Sequence, residues 1–159
     1  MPSRRMFVLG GVAAGVLAGG GFAAVSFRKS LAAAEKRVTG NSSSFEASYG
    51  AMEWAEAGSG PPVLMIHGTG GGFDQGLAFA RRLAALGHRI IAPSRFGYLR
   101  SDFPTDPSSA RQADAFVELL DHLGIDKLPV AGGSAGALSA IEFAIRHPDR
   151  CSALIAIVP

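Results

Sequence analysis

Leu128-Pro129-Val130-Ala131-Gly132-Gly133-Ser134-Ala135-Gly136 sets an apolar run directly before a serine flanked by glycines. The apolar run Leu128 to Ala131 predicts a short buried strand. From Ala135 to Arg146, Leu138, Ile141, Ala144 and Ile145 recur on one face at helical spacing. Strand, Gly-x-Ser-x-Gly and helix in that order form a nucleophile elbow. In so tight a turn, side chains at Gly132 and Gly136 would collide with neighbouring backbone. Ser134 is then held in a strained conformation, its hydroxyl raised above the sheet edge and the helix N-terminus beneath it. That perch lets an incoming carbonyl reach the oxygen while nearby amide N–H groups meet the developing oxyanion. The five-residue pattern alone is weak in a chain with 21 glycines. The strand before it and the helix after it make it specific.

Upstream, apolar runs alternate with helical patterns. Residues 38–44 are polar and read as a linker. Phe45 to Tyr49 and Met52 to Ala57 predict a hairpin around Gly50. Val63 to Ile66 is continuously apolar, as a parallel strand covered on both faces would be. Leu77, Phe79, Leu83 and Leu86 mark a helix stopped by Gly87, and Ile90-Ile91-Ala92 a brief strand ended by Pro93. Ser109 and Gln112 resemble a capping box that opens a helix with Ala113, Phe116, Val117, Leu120 and Leu123 inward. Pro148 ends the elbow helix, and Ala153 to Val158 is a further apolar strand. The alternation predicts an α/β fold, a mostly parallel sheet with helices on both faces. Pro129 fits a central strand only near its start, because it cannot donate to the ladder.

The 159 residues fit one domain, and 48% hydrophobic residues can supply its core. The formal charge of +2 is unevenly placed: residues 1–37 hold six Lys/Arg and one acid, and the remainder nine basic and twelve acidic residues. A mildly acidic body has no electrostatic footprint for phosphates, which argues against nucleic acid as a partner. One cysteine, Cys151, excludes an internal disulfide and a cysteine-based metal site. Placed just before an apolar strand, it reads as a buried structural thiol. No pair of histidines has metal-ligand spacing, and no cofactor is implied.

Residues 1–37 read as a separate object. Met6 to Phe27 is uncharged, follows Arg4-Arg5 and precedes the small residues Ala32-Ala33-Ala34, the order of an export signal peptide. Ser3-Arg4-Arg5-Met6-Phe7-Val8-Leu9 resembles the twin-arginine consensus, and six glycines keep the apolar stretch weakly hydrophobic, as that class prefers. The alternative is an uncleaved transmembrane helix, since the 22 residues 6–27 would span roughly 33 Å at about 1.5 Å per residue. Either reading places the body, residues 45–159, outside the cytoplasm.

With the elbow, the strand before His67-Gly68 and the alternating pattern, the chain from Phe45 to Pro159 resembles the α/β-hydrolase family. His67-Gly68-Thr69-Gly70-Gly71-Gly72 is similar to the family's His-Gly turn after its third strand, where one backbone N–H supplies half of the oxyanion hole. The resemblance assigns the nucleophile to Ser134, one oxyanion donor to Ala135 and the other to Thr69, with Gly70 as the alternative. Pro93-Ser94-Arg95-Phe96-Gly97-Tyr98, followed by Ser101-Asp102, is similar to the family's Asp-x-Arg-Gly-x-Gly-x-Ser loop. It departs at Ser94, where aspartate is usual, so no active-site role passes to that position. His147-Pro148-Asp149-Arg150 looks like the family's structural ending of the elbow helix. His67 is expected to orient the oxyanion loop by hydrogen bonding, and His88 and His122 to be solvated. His147 is expected to favour a helix C-terminus.

In this fold the triad runs Ser, then Asp or Glu, then His. After Ser134 only Glu142, His147 and Asp149 remain, all on the elbow helix or at its end. The resemblance therefore covers the N-terminal part of an incomplete fold, lacking the C-terminal strands and lid. It implies a serine hydrolase for a small ester-like substrate, a fragment inactive alone because the triad acid and histidine are missing. Cofactor-free perhydrolase chemistry would use the same triad. The competing reading is a non-catalytic binding fragment, exported or associated with a membrane through residues 6–27. Nucleotide binding fares worse, because Phe73 stands where the third glycine of the fingerprint begun by Gly68 and Gly70 belongs. An uncovered strand at 153–158 would be an apolar edge open to pairing.

Overall fold

The computed structural model describes the backbone of residues 4–157 and the side chains of residues 21–157. In chain order the elements are α1 (Arg4–Val38), β1 (Ser43–Ala47), β2 (Gly50–Ala57), β3 (Pro62–Ile66), α2 (Phe73–Phe79), α3 (Arg81–Ala85), β4 (Arg89–Pro93), α4 (Ser109–His122), β5 (Leu128–Gly133), α5 (Ala135–Arg146) and β6 (Cys151–Ile157). The chain divides between Thr39 and Gly40 into two compact units. The first is α1, whose last turn carries Lys36 and Arg37, the sign of charge a helix C-terminus favours. Among the described residues no helix is long and apolar enough to cross a membrane. Ser3 of the twin-arginine reading, and the side chains of residues 4–20 on which the signal and anchor readings draw, lie outside the described residues.

The six strands of the second unit form one sheet in the order β1-β2-β4-β3-β5-β6. β1 and β2 are an antiparallel hairpin, β2 joins β4 antiparallel, and β4, β3, β5 and β6 run parallel. The hairpin turns at Ser48-Tyr49 rather than at Gly50, which opens β2. Strand period decides the two cores. Leu64, Ile66, Ile91 and Val130 face Phe116, Leu119 and Leu120 of α4 and Ala140 and Phe143 of α5. Val63, Met65, Ile90 and Ala131 face the other way, against Leu77, Leu83 and Ala84 of α2 and α3. Successive residues are buried on opposite faces, which is why these strands read as unbroken apolar runs. Each fully buried Leu, Ile or Phe contributes about 1.5–3 kcal/mol.

Several local expectations shift. The helix expected across 77–86 is two short helices joined at Ala80, which is buried in the second core. The cap of α4 is Ser108, whose Oγ accepts from the Arg111 amide at 3.2 Å. Ser108 has the extended backbone a cap needs, whereas Ser109 is already helical. Gln112 does not close a box; its Oε1 accepts from the Phe96 amide at 2.8 Å. Pro129 is the second residue of β5, where pairing with β3 has not begun and the register with β6 shifts, so its missing N–H falls in an irregularity. Cys151 is half-buried rather than buried, its thiol donating to the Ala153 carbonyl at 3.3 Å.

The elbow helix holds the largest difference. Its buried residues are Gly136, Ala137, Ser139, Ala140 and Phe143, while Leu138 and Ile145 are 65% and 70% exposed. The bulky stripe evident in the sequence faces outward, and the first turns of α5 meet the sheet through small residues, with Phe143 filling the core further along. A Cβ at Gly136 would lie 2.4 Å from the His67 carbonyl oxygen and 2.5 Å from that of Ile66. On β6, Leu154, Ile155 and Ile157 are each more than 40% exposed. Gly136→Ala should therefore destabilise the sheet unit by about 1–3 kcal/mol or more, as overpacking against backbone does. Chemical denaturation of the variant beside wild type measures it.

Candidate active site

In an open parallel sheet, ligand sites gather at the carboxyl ends of the strands. Here that edge carries three loops. His67 follows β3, Ser94 follows β4 and Ser134 follows β5. Ser134 has φ +51° and ψ −125°, a conformation glycine adopts freely and serine does not. Such a residue costs on the order of 1–3 kcal/mol and persists only where its surroundings over-determine it. They do. A Cβ on Gly132 would lie 2.3 Å from the Gly136 carbonyl oxygen, so the chain has no room to relax backward. The Ser134 amide donates to the Ile157 carbonyl at 3.0 Å, tying the turn to β6. The side chain itself is exposed.

The loop after β3 lies against this serine. A Cβ on Gly68 would meet both the Gly133 carbonyl oxygen and the Ser134 Cβ at 3.1 Å. Thr69 and Gly70 are exposed just beyond that contact, and Ala135 is the first residue of α5. Among the described residues, no protein acceptor takes a hydrogen bond from the amide of Thr69, Gly70 or Ala135. Three backbone donors thus remain unspent in the loop after β3 and at the start of α5. The sequence-derived residues Ser134, Thr69, Gly70 and Ala135 come together at one edge of the sheet, with Gly132 and Gly136 at the crossing beneath them.

His67 is fully buried, and both ring nitrogens are used. Nε2 accepts from the Arg95 amide at 2.8 Å, so Nδ1 carries the proton and donates to the Gly68 carbonyl at 2.7 Å. Burial, helped by the positive charge of Arg95, lowers its pKa to about 4 against the opposing pull of the Gly68 bond and Asp74. A neutral ring with no free lone pair cannot take a proton from Ser134. Its work is to join the loops after β3 and β4.

The other histidines stand elsewhere. His122 is exposed and stacks on Phe45 at 4.5 Å, while His88 is half-buried with a buried Nδ1 lacking a partner, not the solvated ring expected. His147 closes α5, its Nε2 2.8 Å from Asp114 Oδ1. Burial raises the Asp114 pKa, but His147 and Arg146 outweigh it and hold the carboxyl below its ordinary range. A helix of this length puts about 18 Å between the elbow and His147. Among the described residues, Ser134 Oγ has no histidine or carboxylate as a hydrogen-bond partner, and no group of side chains suits a metal ion.

Two residues that pattern reading passed over hold the loops in place. Gln75, in the first turn of α2, accepts from the Gly68 amide through Oε1 at 2.8 Å. Glu53, in the middle of β2, is 1% exposed and accepts from Ser94 Oγ at 2.9 Å. The signal for Glu53 was present as an acid inside the apolar segment Met52 to Ala57. Gln75 had none.

Known proteins share this fold. The sequence profile of the alpha/beta hydrolase fold matches residues 61–159. Epoxide hydrolase 2 of Siraitia grosvenorii is 38% identical over 112 residues, covering 65% of this chain and 34% of that protein. The structure of an alpha/beta hydrolase fold protein from Nakamurella multipartita superposes with a TM-score of 0.69 at 37% identity, over 72% of this chain and 40% of that one. The N-acyl homoserine lactonase AidH, solved with N-butanoyl homoserine, gives a TM-score of 0.63 at 34% identity, over 75% and 45%. The chain thus spans a little over a third of the curated relatives it matches.

The His67 environment has a consequence for stability. Protonation favours the unfolded chain, where the ring returns to 6.5, over the folded state at about 4. Stability contributed by the neutral ring is complete above pH 6.5 and lost as pH falls toward about 4. The His67 ring should titrate by NMR with a midpoint near 4. In His67→Gln the decline of melting temperature across that window should flatten.

Proposed function

The chain belongs to the α/β-hydrolase family, and we propose that it carries the nucleophile and the oxyanion donors of a serine hydrolase for a small ester, thioester or amide. Ser134 Oγ attacks the carbonyl carbon, and the carbonyl electron pair moves onto oxygen. The amides of Ala135 and Thr69, with Gly70 as the alternative to Thr69, receive that oxyanion. Collapse of the tetrahedral intermediate expels the alcohol, thiol or amine, and water releases the acyl group by the same path. The observation that carries this reading is the exposed Ser134 at φ +51°, with Gly68 packed against its Cβ. Strain of this kind clusters at functional sites, which supports a hydroxyl held there for chemistry.

The proton of Ser134 needs a base. His67 is spent on Arg95 and Gly68, and His147 on Asp114 at the far end of α5. The triad acid and histidine then come from residues outside these 159, and the chain alone is inactive. One observation favours a second reading, a non-catalytic binding fragment: among the described residues no base contacts Ser134. A fluorophosphonate applied to the gene product in its source cells separates the two. We expect covalent labelling that maps to Ser134, and turnover of a nitrophenyl ester that falls about 10³-fold or more in Ser134→Ala. Undiminished turnover in that variant, or no label on Ser134, sinks the hydrolase reading.

We also propose export through residues 1–37, on the strength of Arg4-Arg5 ahead of the uncharged stretch 6–27. The Arg4→Lys, Arg5→Lys double variant should leave the body in the cytoplasm, as read by cell fractionation. N-terminal sequencing of the wild-type product separates a cleaved signal from a retained anchor.

A further inference from the structure

Glu53 is a carboxylate buried in β2, and a charge so placed is costly unless several donors meet it. Four do. Oε1 accepts from Ser42 Oγ and Arg100 Nε, each at 2.7 Å. Oε2 accepts from Ser94 Oγ at 2.9 Å and the Arg100 amide at 3.2 Å. Burial pushes the carboxyl pKa up, yet these donors outweigh it and keep the group charged. The backbone repeats the connection: the Ser94 amide donates to the Glu53 carbonyl at 2.8 Å, and Ser101 Oγ bridges the Glu53 amide and the Ser94 carbonyl.

What Ser94 does with its hydroxyl matters for the loop after β3. Its single hydrogen goes to Glu53, which turns the oxygen lone pairs toward α2. There Ser94 Oγ accepts the Phe73 amide at 3.1 Å. Phe73 is the first residue of α2 and directly follows the loop 67–72. Gly72 passes so near that a Cβ there would lie 2.9 Å from Ser94 Oγ. The entry of the same loop is fixed by His67 and by Gln75 on the Gly68 amide. Between the anchors, four of the five residues 68–72 are glycine. A glycine run has little conformational preference of its own, so its ends decide where its amides point.

We propose that Glu53 is a positioning residue, whose carboxylate orients the Ser94 hydroxyl onto the Phe73 amide and thereby aims the Thr69 and Gly70 amides at Ser134. This rests on the oxyanion role given above to that loop. The carboxylate the family's loop pattern carries at position 94 is supplied here from β2, one hydrogen bond further back. Ser42 Oγ and Arg100 Nε serve the other oxygen, Oε1, while the Arg100 amide shares Oε2 with Ser94.

The test uses the gene product carrying Glu53→Gln, Ser94→Ala, Ser42→Ala, or Glu53→Gln with Ser94→Asp. Two readouts are taken: amide hydrogen exchange of the 67–73 segment relative to the β3 and β5 strands, and kcat and KM on a nitrophenyl ester. Glu53→Gln and Ser94→Ala should each speed exchange in that segment about 10-fold or more while the strands stay protected. They should lower kcat about 10- to 100-fold with KM within about twofold, since a misaimed donor is felt in the transition state. Ser42→Ala, which removes one donor from Oε1 and leaves the Ser94 bond in place, should move both readouts in the same direction by less than Glu53→Gln, and Ser94→Asp should restore both in part. Exchange that rises equally over the whole sheet in Glu53→Gln, or an unaltered loop in Ser94→Ala, overturns the proposal. Should Glu53→Gln fail to fold, Ser94→Ala decides alone, because it removes one hydroxyl. Activity retained in Ser134→Ala would end the hydrolase reading, and the exchange measurements would still judge Glu53.

Discussion

The closeness of two backbones governs this molecule. Where β5 turns into α5, Gly132 lies so near the Gly136 carbonyl, and Gly136 so near the carbonyls that end β3, that neither position has space for a methyl group. That crossing pulls the start of α5 onto the centre of the sheet. The first turns of the helix are small on their inner face, where Gly136, Ala137 and Ala140 lie, and Phe143 fills the core beyond them. The crossing also leaves Ser134 nowhere to go but up, at positive φ, with the turn at Gly68 packed on its Cβ. The small first turn of α5 and the raised hydroxyl both go with this one close approach.

Above the sheet, two buried titratable groups are handled in opposite ways. His67 is kept neutral: burial depresses its pKa, one nitrogen accepts from Arg95 and the other donates to Gly68. Glu53 is kept charged, because its carboxylate meets donors from Ser42, Ser94 and Arg100. Both do the same kind of work. Each joins the loop after β4 to a neighbouring strand or loop, and together they bracket the glycine run that follows β3. Buried polar groups that are fully satisfied rigidify what they connect. A loop made of glycines needs that rigidity from outside itself.

Much of this was legible along the chain. Unbroken runs at 63–66 and 128–131 marked strands covered on both faces, because parallel strands bury both sides. The elbow was legible because its glycines answer a steric demand that no other residue meets. His67 was legible as a loop anchor through its resemblance. The outward stripe of Leu138, Ile141 and Ile145 misled the helical periodicity, which locates an apolar face without saying which face the sheet takes. Ser109 stood one residue from the true cap, since a cap is defined by backbone angles and not by residue type.

The order of elements, the parallel sheet, the strained serine and the glycine-rich loop after β3 follow from local pattern, because each is dictated by steric or hydrophobic demands within a few residues. The hold on that loop is different in kind. Glu53 meets Ser94 across 41 positions, and Ser94 meets Phe73 across 21. Hydrogen bonds between groups so far apart leave no periodic trace, and only the folding of β2 beside β4 brings the carboxylate against Ser94.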